Sequence, residues 1–152
     1  MSARRLIPGL SGSPVGAPPL VSIASGIVLV VAAFLPWYTA NVAPPFTPGD
    51  SSGWKATVIA RVALALGVVV AGAALAAVLD EREVLPLSDR AGDALGWIVV
   101  IAAAAAAVLV GYRVLVMPGP AEFLSRQIGL YLAMAAAVGG VLGGLALVAT
   151  RR

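Results

Sequence analysis

Apolar residues run along this chain in four long blocks, separated by short polar breaks that carry proline, glycine and charge. A helix crossing a hydrocarbon core needs about 20 consecutive apolar residues, roughly 30 Å at ~1.5 Å per residue. Residues 20–38, 56–79, 95–116 and 128–149 meet that length. Each block is apolar around its whole circumference, with no 3.6-residue stripe and none of the two-residue alternation of a membrane barrel strand. Helices therefore have to satisfy the backbone here, because lipid offers it no partners. The pattern predicts an all-α membrane fold, a four-helix transmembrane bundle running up-down-up-down through residues 20–150.

The breaks are expected to be connections and not buried structure: Pro44, Pro45, Pro48 and Gly49 in the first, Pro86 in the second, and Pro118, Gly119 and Pro120 in the third. Residues 1–19 are rich in Pro, Gly and Ser and read as a disordered cytoplasmic segment. A rival reading makes the first block a cleaved signal peptide behind Arg4 and Arg5. No Ala-x-Ala pattern follows it, and the block is long enough to span.

Composition strengthens the membrane reading: of 152 residues 61% are hydrophobic and only 11% charged. The mean hydropathy is +1.01. Cysteine and histidine are both absent, which removes disulfides, thiolate chemistry, the usual neutral-pH base and most transition-metal sites. No catalytic constellation remains, so a non-enzymatic protein without cofactor or metal is expected. Ten basic and seven acidic side chains, dispersed along the chain, do not make a nucleic-acid surface.

Charge also sets orientation, since arginine and lysine are retained in cytoplasmic loops. With both termini inside, Arg4, Arg5, Arg82, Arg90, Arg151 and Arg152 are cytoplasmic, against Lys55 and Arg126 outside. The location expected is a bacterial plasma membrane, crossed several times, with both termini cytoplasmic.

In that topology the aromatic residues Trp37, Tyr38, Trp54, Tyr112 and Tyr131 gather toward the outer face, with Trp97 near the inner one. Arg61 and Arg113 lie within spans near the outer ends, at depths expected to match. An arginine at mid-bilayer costs on the order of 2.5–3.5 kcal/mol, and less near the interface. Either both guanidiniums snorkel to headgroups among an ordinary aromatic belt, or they face inward. Inward-facing, with Trp37, Trp54, Tyr112 and Tyr131 around them, they would make a ligand-binding pocket for an anionic headgroup or small carboxylate. Asp50 or Glu122 pairing with them would make the same constellation structural.

The fourth block holds Gly139, Gly140, Gly143 and Gly144, two overlapping small-x-x-x-small pairs on adjacent helix faces. Ala63, Gly67 and Ala71 offer a weaker version in the second. Packing within the chain is the simplest reading, and a homo- or hetero-oligomer through the fourth span is the other. The acidic and basic residues from Asp80 to Asp93 lack any phosphate-cradle or calcium-loop spacing and read as a solvated turn, with Ser88 capping the helix that follows.

Four short motifs carry a resemblance: Phe34-Leu35-Pro36-Trp37-Tyr38, Gly53-Trp54-Lys55-Ala56, Tyr112-Arg113-Val114-Leu115 before Pro118-Gly119, and Gly129-Leu130-Tyr131-Leu132. Over roughly residues 20–149 the chain resembles a group of small uncharacterised four-span membrane proteins of actinobacteria. The resemblance implies fold and location, and it carries no activity. One departure is Arg61, where an acidic residue is associated with such proteins. A fainter similarity to claudin-like four-span proteins lacks their loop length and cysteine pair.

Two roles follow. The first is an accessory or structural subunit that packs in the lipid bilayer with another membrane protein through the glycines of the fourth span. The second is an outer-face binding or transport module for an anionic lipid headgroup or small acid, although transport usually involves discontinuous helices and inverted repeats, which the blocks do not show.

Overall fold

The structure, a computed structural model, describes residues 16–42, 45, 49–120 and 122–152. Helix α1 (Ala17–Ala32) opens on Pro18 and Pro19, where a missing N–H has no intrahelical partner to lose. It closes through tighter bonds, Ala33 N to Val30 O, Phe34 N to Val31 O and Leu35 N to Ala32 O. Pro36 then prevents continuation, lacking an N–H and holding Leu35 out of the helical region. The expected helix to Tyr38 is thereby corrected: residues 36–40 form strand β1 (Pro36–Ala40), and α1 has 16 residues, about 24 Å at ~1.5 Å each. The segment expected to be disordered to residue 19 is helical from Ala17, while residues 1–15 of that expectation lie outside the described residues.

A small sheet corrects the all-α expectation. Strand β1 pairs antiparallel on one side with β2 (Gly49–Ser52) and on the other with β3 (Leu124–Arg126), in the order β2-β1-β3. Tyr38 stands opposite Ser51 and Arg126, and the register shifts between Pro36 and Tyr38. The sheet gives the first and third connections backbone partners close to the apolar helix ends, where unpaired N–H and C=O groups are costly.

A single turn, α2 (Gly53–Ala56), leads into α3 (Val58–Glu81), which Thr57 caps by accepting from the Ala60 N–H at 3.0 Å. Helix α4 (Asp89–Leu115) begins six residues before the apolar block does. Ser88 accepts from the Ala91 N–H, as expected, and Asp89 in the first turn complements the helix dipole. Helix α5 (Ile128–Thr150) completes the order. Helices α3, α4 and α5 have 24, 27 and 23 residues and are apolar and long enough to cross a membrane.

The long helices pack as a ring in which α1 touches α3 and α5, and α4 touches the same two from the other side. Small side chains make this possible. Gly26 of α1 meets Gly67 and Ala71 of α3. On α5, Gly139 and Gly143 lie against Ser25 and Ser22 of α1, whereas Gly140 and Gly144 lie against Ala103, Val99 and Val100 of α4. The two glycine pairs thus serve two neighbours within the same chain, which is the packing reading of that motif. One core cluster, with Leu29, Trp37, Tyr38, Ala60, Val110 and Leu130, lies under the sheet, and a second joins Val70, Ala74, Val99, Ala103 and Leu147.

Candidate functional site

Sheet and helix ends together bring the marked residues to one end of the molecule, where they divide by role. Trp37 is fully buried, and its indole Nε1 donates to the Ala32 carbonyl at 2.7 Å. Gly53 and Gly129 press against the same ring, so closely that a Cβ on either would collide with it. Trp37 is therefore a peg joining the end of α1 to α2 and α5.

Arg61 and Arg113 have different surroundings despite their similar depth in sequence. Arg61 is exposed, donates through Nε to the Trp54 carbonyl at 3.0 Å and lies with its guanidinium carbon 5.2 Å from the Trp54 ring centroid. Trp54 in turn stacks on Phe34 at 5.8 Å. This is a satisfied surface arrangement of cation and rings. Arg113 lies on α4, 5.7 Å from the ring of its neighbour Tyr112, while Tyr112 and Tyr131 are 51% and 53% exposed. The six residues considered for a pocket thus divide into an Arg61–Trp54 pair stacked on Phe34, a buried Trp37 peg, and an Arg113–Tyr112 pair with Tyr131 exposed.

A different group surrounds Tyr38, which is 2% exposed and donates its hydroxyl to the Arg113 carbonyl at 3.1 Å. Arg126 sits directly opposite Tyr38 across the β1–β3 pairing, and residues so opposed project to the same face of a sheet. Burial raises the Tyr38 phenol above its ordinary value of 10.0, and the positive charges of Arg113 and Arg126 act against that rise. Both arginines carry a buried Nε that has no hydrogen-bond acceptor among the described residues. A buried donor left unpaired costs about 1–3 kcal/mol, and more when it is charged. The carboxylates expected to answer an arginine here do not: Asp50 accepts from the Thr39 hydroxyl, and Glu122 is exposed. Neither is ion-paired with Arg113 or Arg126.

Sequence reasoning counted Arg126 only as a loop charge and missed its place beside Tyr38. Its pairing depends on β1–β3 register, for which three residues, Leu124-Ser125-Arg126, give no periodic signal.

At the opposite end Asp80 ties three elements together. One carboxylate oxygen meets the Arg151 guanidinium at 3.2 Å, and the other accepts from the Leu87 N–H at 2.9 Å. Glu81, Glu83, Asp89 and Asp93 are exposed, and among the described residues no three potential ligands gather to hold a metal. Comparison with protein-family models and with curated proteins finds no match for the chain.

Proposed function

We propose that the chain is a four-span integral membrane protein of a bacterial plasma membrane, with both termini cytoplasmic, acting without catalysis as an accessory subunit packed against another membrane protein. Three helices able to span, with α1 completing their ring, support the transmembrane four-helix bundle. The α5 glycines are occupied inside the chain, so the partner surface falls elsewhere. The observation that carries this reading is an apolar groove of about 410 Å³ between α1 and α3, walled by Ile27, Val31, Val68, Gly72 and Leu75. Gly72 opens onto empty space within it, leaving room for a partner helix to approach closely.

Crosslinking in native membranes, followed by mild-detergent purification and mass spectrometry, tests the proposal. One defined partner is expected with the wild type and is lost on Gly72→Phe, a substitution that meets no atom of its own chain within 4 Å of the added Cβ. A monomer without partner in both forms would count against it.

A second reading, recognition of an anionic headgroup or small acid at the sheet-bearing end, is supported by Arg113 and Arg126, neither of which is ion-paired with a carboxylate among the described residues.

A further inference from the structure

The sheet-bearing end carries four cations, Lys55, Arg61, Arg113 and Arg126, and two carboxylates, Asp50 and Glu122. Arg61 is engaged by Trp54 and Asp50 by Thr39. That leaves Lys55 and Glu122, both exposed, and Arg113 and Arg126: the Arg113 backbone carbonyl accepts from the buried Tyr38 phenol while its guanidinium lies 5.7 Å from the Tyr112 ring, and Arg126 stands opposite Tyr38 in the β1–β3 pairing. The Nε atoms of both arginines are enclosed yet unpaired. A guanidinium binds oxyanions best through two parallel donors, and with Nε enclosed by the protein the two terminal nitrogens are the pair left to face an oxyanion. Helix α4 ends two residues after Arg113, which puts the group at the level where a spanning helix meets headgroups.

We infer that Arg113 and Arg126 form a two-arginine site, floored by Tyr38, that binds the phosphate of an anionic phospholipid headgroup. This rests on the second reading above and supplies its site and ligand class. A phosphate diester offers two free oxygens and one negative charge, enough for one fork from each arginine. A free phosphate has the same chemistry, and only the acyl chains distinguish the two sources. The apolar surface beside the site suits those chains: Leu115 is 80% exposed and Ile128 is 68% exposed.

The full chain, purified in an uncharged detergent, is titrated with dioleoyl phosphatidylglycerol, dioleoyl phosphatidylcholine and inorganic phosphate, read by native mass spectrometry and by melting temperature. Expected is one retained phosphatidylglycerol and a rise in melting temperature, with affinity falling about tenfold or more in Arg126→Gln and in Arg113→Gln, about 1.4 kcal/mol per tenfold. Arg126→Lys should retain part of the binding, and Arg61→Gln, which removes an equal charge from the same end, nearly all of it. Lipid-free Arg126→Gln should melt no lower than wild type, because it removes an unpaired buried donor, and this separates lost binding from lost folding. A phosphate-induced rise that disappears in Arg126→Gln would keep the site and overturn its lipid source. Phosphatidylglycerol binding lost in Arg61→Gln but kept in both other variants would overturn the site alone. No binding of any anionic probe would overturn the second reading with it.

Discussion

Gly26 of α1 and Gly67 of α3 meet backbone to backbone: a Cβ on Gly26 would stand 2.6 Å from the Gly67 carbonyl oxygen, and one on Gly67 would stand 2.9 Å from that of Gly26. Neither contact can be relieved by turning a side chain, because the obstructing atoms are main chain. Gly26→Val should therefore push the helices apart and cost about 1–3 kcal/mol, the range for overpacking a tight interior. Gly72→Ala on α3 meets nothing and should be neutral or stabilising, since alanine is the better helix former by about 1 kcal/mol. Thermal unfolding in detergent, followed by circular dichroism, compares the two.

Trp37 and Trp54 look alike in the sequence, each next to a lysine or tyrosine at the edge of an apolar block, and the structure gives them opposite stability roles. Trp37→Phe should cost roughly 2–3 kcal/mol, from an Ala32 carbonyl left without its donor and a void beside Gly53 and Gly129. Trp54→Phe should stay within about 0.5 kcal/mol, as expected for an exposed ring. Melting temperatures of the two variants check the contrast, and equal losses would contradict the peg.

Hydropathy placed α3, α4 and α5 well, because three helices that are themselves apolar on every side need nothing but length and the absence of proline. Expected starts and ends differ from the structure by two residues in α3, and in α5 by one residue at the end only. Helix α4 begins at Asp89 and not at Leu95, since its first turn is made by a Ser88 cap and charged residues, which a search for apolar runs passes over. The same measure failed at residues 36–40. Pro-Trp-Tyr-Thr-Ala is apolar enough to extend a span, but proline at its head and aromatic and β-branched residues after it favour a strand once two partners exist. Those partners come from residues 49–52 and 124–126, and the second lies more than 80 positions away. Arg126 could not be read as a site residue for that reason, whereas Arg113 could, being an ionisable group inside an apolar run.

Tyr38 should make stability fall in the alkaline range. Its phenol is raised chiefly by burial, so the folded state holds the proton more tightly than the unfolded chain, whose tyrosine titrates near the ordinary value of 10.0. A raised value means the contribution is complete below about pH 10 and is lost as pH rises through the folded value. Ionisation would also remove the hydrogen bond to the Arg113 carbonyl. Tyr38→Phe should cost about 1 kcal/mol at pH 7 and flatten the alkaline decline. Chemical unfolding at pH 7 to 11 measures both, and an unchanged slope in the variant would rule out Tyr38 as the group responsible.

Asp80 and Arg151 close the opposite end, joining the last turn of α3 to the residue after α5, with side-chain exposures of only 17% and 19%. Exposed pairs are worth about 0.2–1 kcal/mol and losing one partner of a buried pair about 3–5, so Asp80→Asn should fall between, near 1–3 kcal/mol. The carboxylate also holds the Leu87 N–H, a bond asparagine can keep through its carbonyl, so Asp80→Ala should cost more than Asp80→Asn. Gly92 provides an independent route to the same pair: its Cβ position is occupied by the Arg151 guanidinium, with Asp80 close by. Gly92→Ala should therefore displace Arg151 and lower stability despite alanine's higher helix propensity. If the argument holds, Gly92→Ala combined with Arg151→Ala is less destabilising than the sum of the two, and strict additivity in a double-mutant cycle would show that the contact has no energetic role.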